Sequence, residues 1–187
     1  MIPTRRGSVQ RSTTAATRKS EPMTSTKLTA PEILAAKLIQ QCREAPGIPT
    51  FWLPISYVMA HVEIESGFDP TIEASDFATT GSVGLMQVEA STAAQTIGQF
   101  PAAKLTLPQT DPYTSIATGM LYLWQCREYL LPIFGAPLLY SHVAMAYNEG
   151  PGNAGNGVAD DSYYFKWLSA QQRFAFLDAA PPMVGDG

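Results

Sequence analysis

The sequence predicts a mainly α domain. Apolar residues recur at three- and four-residue steps through six segments. Period-two alternation of the strand type is weak throughout. The segments are bounded by prolines, glycines and capping residues, the usual start and stop signals of helices.

The first helix opens at Thr29, with Pro31 in its first turn and Glu32 three positions after the cap, close to a capping box. Ile33, Leu34, Leu38 and Ile39 give it an apolar stripe, and Pro46, Gly47 and Pro49 end it. A second helix follows Pro54 and runs to about Ser66. Residues 67–84 read as loop. The stretch "GLMQVEASTAAQTIG" (84–98) reads as a short helix, and 99–112, with three prolines, as mostly loop. The longest pattern is "PYTSIATGMLYLWQCREYLLPIF" (112–134), where Ile116, Leu123 and Leu130 fall at seven-residue steps. "PLLYSHVAMAYNEG" (137–150) is the next helix, stopped by Gly150, Pro151 and Gly152. "DSYYFKWLSAQQRFAFLDA" (161–179) is the last, opened by Asp161 or Ser162.

The 187 residues suffice for one domain with a sizeable core. Residues 1–27 hold Arg5, Arg6, Arg11, Arg18, Lys19 and Lys27 against one acid, Glu21. They are rich in Ser and Thr and nearly free of large apolar side chains, which predicts a disordered basic tail. A transit peptide fits that composition only loosely, and the apolar segment of a secretory signal is absent. The expected organisation is therefore a tail at 1–27, the domain at 28–180 and a short flexible tail at 181–187. The domain is acidic and carries no basic stripe, which argues against nucleic-acid binding. No apolar run reaches the length of a membrane helix. His61 and His142 are the only histidines, and Cys42 and Cys126 lie outside any CxxC motif, so a metal site is not expected. The two cysteines read either as buried free thiols or, outside the cytoplasm, as a disulfide between helices.

The stretch "VEIESGFDP" (62–70) carries three carboxylates at the end of an apolar helix. At about 100° per residue, Val58, Val62 and Glu65 share a face, while Glu63 points about 200° away. Glu65 thus continues the apolar side, and Glu63 is expected in solvent. A carboxyl removed from water has its ionised form disfavoured, and the helix C-terminus pushes the same way. That is the condition of a general acid near neutral pH, or of an ordinary last-turn Glu. Asp69, followed by Pro70, is expected to shape the turn out of the helix.

Four motifs in order bear on that choice: "ESGFDP" (65–70), "GSVGLMQV" (81–88), "GMLYL" (119–123) and "AYNEGPG" (146–152). Together they resemble the soluble lytic transglycosylases, which share a lysozyme-like domain related to goose-type lysozymes, over about residues 50–157. The resemblance implies a substrate groove between helical subdomains. It implies cleavage of the β-1,4 bond between N-acetylmuramic acid and N-acetylglucosamine in peptidoglycan, leaving a 1,6-anhydro-muramyl end. Glu65 would act as acid and then as base. Ser66, Gly84, Met86, Gln87, Tyr147 and Asn148 would form the substrate-binding set, Gly84 by admitting the sugar, Met86 by lining the groove, and Tyr147 by bringing its hydroxyl towards the glutamate. No cofactor is implied, because a carboxyl group moves the proton by itself. The partner implied is the glycan strand, met in the periplasm or cell wall, with a virion or secretion assembly as a conceivable carrier for a chain that shows no export signal.

The sequence also departs from the family pattern. The loop between Pro70 and Gly81 is about four residues longer than the commonest form and holds Glu73 and Asp76. Ala90 stands where a Pro is usual, Ser115 where Asn is usual, and Glu149 where Ala is common. Glu73, Asp76 and Glu149 are thus possible secondary carboxylates. Two other readings follow: a lysozyme-type muramidase using Glu65 with Asp76 or Glu73, and a non-catalytic glycan-binding module of a virion or secretion assembly.

Overall fold

The computed structural model describes residues 27–50, 52–157 and 160–179. The two tails expected at the ends, but for Lys27, lie outside them. The described residues form helices α1 (Ala30–Glu44), α2 (Ile55–Ser66), α3 (Phe77–Thr80), α4 (Ala90–Gln99), α5 (Pro112–Phe134), α6 (Tyr140–Glu149), α7 (Pro151–Gly155) and α8 (Asp161–Phe174), with single 3-10 turns at Pro101–Ala103 and Ala175–Leu177. The mainly α class expected from the sequence is the one found.

Local chemistry explains most boundaries. Glu32 turns its Oε2 back to accept from the Thr29 backbone N–H at 2.7 Å, one half of a capping box at the start of α1. Asp111 accepts from the Thr114 N–H at 2.7 Å and opens α5 with Pro112 at its first position. Gly67 closes α2 in the left-handed region at φ 58. Four elements differ from expectation, one of them the short α7, which starts at the Gly150-Pro151-Gly152 stretch expected only to stop α6. α4 begins at Ala90 rather than Gly84, because Gly84 (φ 84) and Gln87 (φ 49) leave helical space and make "GLMQVE" a buried turn. The loop at 67–84 contains the short α3 and an isolated bridge between Glu73 and Val83. The α8 cap is Asp160, one residue early, accepting from the Ser162 N–H at 2.8 Å.

Helices α2 and α5 carry the core. From Ser56 to Val62 every residue of α2 is buried, as is every residue of α5 from Thr114 to Leu121. α2 packs on α1 and α8, and α5 packs on α1, α4, α6 and α7. Cys42 and Cys126 are buried free thiols, so the disulfide alternative fails. Burial pushes both thiols up to about 12, with Tyr113 and Tyr122 hydrogen-bonding to them.

Two polar ties fix α2 against distant chain. Asp178, past the end of α8, accepts from the Ser56 backbone N–H at 3.0 Å and from its hydroxyl. It caps the first turn of α2 from 122 residues away. Arg173 of α8 pairs with Glu32 of α1 at 2.7 Å and with Glu63 of α2 at 2.9 Å. Glu63 is therefore a half-exposed member of an ion-pair triad, not the freely solvated carboxylate expected. Glu32 is only 5 % exposed, so Arg173→Met strands a buried charge. With Arg173 itself half exposed, we expect a loss of about 1–2 kcal/mol, read as a lower urea midpoint at unchanged slope.

Candidate active site

A groove of about 790 Å³ opens where the C-terminal turn of α2 meets the 72–92 segment and the end of α6. Glu65 stands in its wall. Facing it are Glu73, Asp76, Gln87 and Glu89 from the 72–92 segment, Tyr122 from α5, and Tyr147, Asn148 and Glu149 from α6.

Glu65 is largely removed from water, on the apolar side of α2. Burial pushes its carboxyl up from 4.5 to about 7, against a lowering pull from the Tyr163 hydroxyl. Tyr163, in the first turn of α8, donates to Glu65 Oε1 at 2.9 Å. Behind it lies His61, with Nδ1 3.0 Å from the same hydroxyl. The His61 imidazole is fully buried among the rings of Tyr57, Tyr147, Tyr163 and Trp167. Burial holds it down at about 3, so it is neutral at ordinary pH.

The other expected site residues divide into two groups. Gln87, Tyr147, Asn148, Glu73, Asp76 and Glu149 line the groove with Glu65. Ser66, Gly84 and Met86 do not. The Ser66 hydroxyl is buried and donates to the Val62 carbonyl one turn back, at 2.9 Å. A Cβ on Gly84 would lie 2.2 Å from the Gln109 carbonyl oxygen and 2.9 Å from Ser115 Oγ, so its close neighbour is the protein's own backbone rather than a sugar. Met86 is fully buried, packed where Gly119 leaves room for its side chain. Ser115, in place of the usual Asn, accepts from the Met86 N–H at 3.1 Å. Tyr147 lies close enough to Glu65 to interact with it electrostatically, but its hydroxyl bonds elsewhere. It donates to the Met86 carbonyl at 2.6 Å, and Tyr163 takes the place beside Glu65.

The groove wall is tied together by its own polar groups. Gln87 Nε2 donates to the carbonyls of Ile72 (3.0 Å) and Gly84 (2.7 Å), fastening the lengthened loop to the "GLMQ" turn. Asp69 Oδ1 accepts from both the N–H and the hydroxyl of Thr71 at 2.8 Å, forming the turn out of α2. Asn148 Nδ2 donates to Glu149 Oε1 at 3.0 Å. Among the described residues no three His, Cys, Asp or Glu side chains converge as a metal site, and no helix is long and apolar enough to cross a membrane.

Residues 50–168 match the profile of the transglycosylase SLT domain. The chain belongs to that family. Among solved structures, the SLT domain here is similar to an inactive glutamate-to-glutamine mutant of lytic transglycosylase Slt from Pseudomonas aeruginosa, at 20 % identity and a TM-score of 0.50, over 84 % of this chain and 25 % of that one. It also matches the 70 kDa soluble lytic transglycosylase SLT70 from Escherichia coli, at 27 % identity and a TM-score of 0.44, over 67 % and 20 % of the two chains. A complex of the 70 kDa soluble lytic transglycosylase with bulgecin A matches at 24 % identity and 0.47, over 75 % and 22 %. The chain thus spans about a fifth to a quarter of the length of these proteins. No curated protein sequence matches it.

Tyr163 and His61 were not among the residues the sequence singled out. His61 could have been found, because it sits one turn before Glu65, on the same face of α2. Tyr163 could not. It lies 98 positions away, in a helix whose docking no local pattern encodes.

Proposed function

We propose that this SLT domain is a peptidoglycan lytic transglycosylase acting in the periplasm or cell wall. It cleaves the β-1,4 bond between N-acetylmuramic acid and N-acetylglucosamine to leave a 1,6-anhydro-muramyl end. The observation that carries the reading is Glu65: a carboxyl in a groove wall, largely dry, with its proton held up to about 7. Glu65 first gives its proton to the glycosidic oxygen as the bond breaks. The resulting carboxylate then takes the proton of the sugar's own 6-hydroxyl, whose oxygen closes on the anomeric carbon. One carboxylate serves both steps because the nucleophile is part of the substrate, held at high effective molarity. Gln87, Tyr147 and Asn148 are the groove-wall groups proposed to meet the glycan.

A second reading is favoured by one feature of the lengthened loop: Glu73 and Asp76 face the same groove as Glu65. Either could direct a water and make the enzyme a hydrolase, as in two-carboxylate glycosidases. Digestion of purified sacculi with mass analysis of the muropeptides separates the two. Transglycosylation gives anhydro ends, lighter by one water than the reducing ends of hydrolysis. Under the first reading Asp76→Asn and Glu73→Gln each change the rate less than about threefold, well short of the roughly hundredfold or greater loss that removing a working acid or base brings. A loss on that scale with reducing-end products would establish the muramidase instead. Glycan binding without cleavage would leave only the non-catalytic module.

A further inference from the structure

The structure brings a third group into line behind Glu65. We propose that His61 is a positioning residue: through the Tyr163 hydroxyl it stabilises the ionised form of Glu65 and so sets the pH at which that carboxyl exchanges its proton. The inference rests on Glu65 being the acid and base.

With Glu65 ionised, the protons available fix the direction of each hydrogen bond. Tyr163 has one hydroxyl proton, and it points at Glu65 Oε1, 2.9 Å away. His61 Nδ1 lies 3.0 Å from the same oxygen. Two lone pairs cannot face each other there, so Nδ1 must carry a proton and donate it. A neutral imidazole has only one N–H. Nε2 is therefore bare, and it is buried with no hydrogen-bond partner among the described residues. The opposite tautomer would strand a buried N–H at Nε2 and set two acceptors against each other at Nδ1. Burial holds the ring neutral, with its charged form reached only at about 3, so this arrangement stands wherever Glu65 is ionised.

The outcome is a directed row, His61 Nδ1–H to Tyr163 O–H to the Glu65 carboxylate. Hydrogen bonds in a row polarise one another, so the donation to Glu65 is stronger with His61 in place. The geometry holds the row in place: His61 and Glu65 are one turn apart on α2, and Asp160 fixes the turn of α8 that carries Tyr163. Other titratable groups face this site. Tyr147 and Glu149 come from α6, Tyr122 from α5, and Glu73, Asp76 and Glu89 from the groove wall, while Tyr57 flanks the imidazole on α2. Of these groups and Tyr163, the last is the one that joins Glu65 to His61.

The test is the titration of the Glu65 carboxyl carbon by NMR in the full chain, which needs no turnover. His61→Phe keeps the aromatic packing and removes Nδ1; we expect the midpoint to rise by about 0.3–0.6 pH units. Tyr163→Phe should raise it by about 1–2 units, because the direct bond to the charged group is gone. The double variant should rise no further than Tyr163→Phe. His61→Asn, whose amide can donate from near the Nδ1 position, should restore the wild-type midpoint. An unmoved midpoint in His61→Phe, or a double variant shifted beyond Tyr163→Phe, overturns the proposal. Nitrogen shifts of the wild-type imidazole give a check free of substitutions: protonation at Nδ1 above pH 8 is expected, and protonation at Nε2 overturns it. Full activity in Glu65→Gln would sink the catalytic reading instead, leaving these midpoints to be judged by themselves.

Discussion

Glu65→Gln is expected to lower the rate of glycan cleavage proposed above by about a thousandfold or more, read as release of anhydro-muropeptides from sacculi. The amide keeps the shape and still accepts from Tyr163, but it has no proton to give and no lone-pair base to take one back. General acid or base catalysis is worth about a hundred- to ten-thousandfold for a single step, and here one group serves two. The wild-type rate should fall as pH rises above about 7, where Glu65 loses the proton it must donate first. The same substitution acts on stability with a definite sign. The folded-state value of about 7 lies above the ordinary 4.5, so the ionised group is at home in the unfolded chain rather than the fold. Its contribution is fully present below pH 4.5 and is lost as pH rises through 7. Glu65→Gln should therefore be more stable than wild type by about 3 kcal/mol at pH 8, and this pH-dependent gap should close below pH 4.5. A variant that loses both activity and melting temperature at pH 8 would show that Glu65 supports the fold.

Gly84→Ala is expected to be the most damaging single methyl in the molecule. At φ 84 an L side chain is strained, and the added Cβ lies 2.2 Å from the Gln109 carbonyl oxygen. That oxygen belongs to backbone, so it cannot swing aside. The two effects together cost about 3–5 kcal/mol, a large share of the stability of an ordinary domain. Gly98→Ala is the matched control. Among the described residues its Cβ would meet nothing within 4 Å, and it sits inside α4, where Ala is the better helix former by about 1 kcal/mol. Chemical denaturation of the two variants side by side should move in opposite directions. Equal midpoints would mean that the turn around Gly84 yields more easily than its contacts suggest.

The parts of this fold that were legible in the sequence are those governed by neighbours in the chain. Pro54 and Gly67 bracket α2, and Asp111 with Pro112 opens α5, because a cap or a breaker acts within one turn. "GLMQVE" misled for the same reason in reverse. Its apolar residues imitate the start of α4, yet they are apolar because the turn is buried against α5, with Ser115 taking the Met86 N–H. The orientation of Glu65 against Glu63 followed from helical period alone. That Glu63 pairs with Arg173 did not, since the arginine arrives from 110 positions on. The resemblance assigns Gly84 and Met86 to the sugar, but both are held by tertiary packing that no spacing in "GLMQ" reveals.

The long-range cap on α2 has a consequence for synthesis. The helix that carries Glu65 emerges from the ribosome early, but the carboxylate that caps its first turn is Asp178, and the hydroxyl that meets Glu65 is on Tyr163. A nascent chain halted before residue 163 holds the glutamate without the neighbour that orients it. One halted before 178 holds a helix whose first turn is still uncapped. The order of translation therefore withholds the groups that orient Glu65 and cap its helix until α8 and the turn after it have been made, although every residue lining the groove has been made by Gly150.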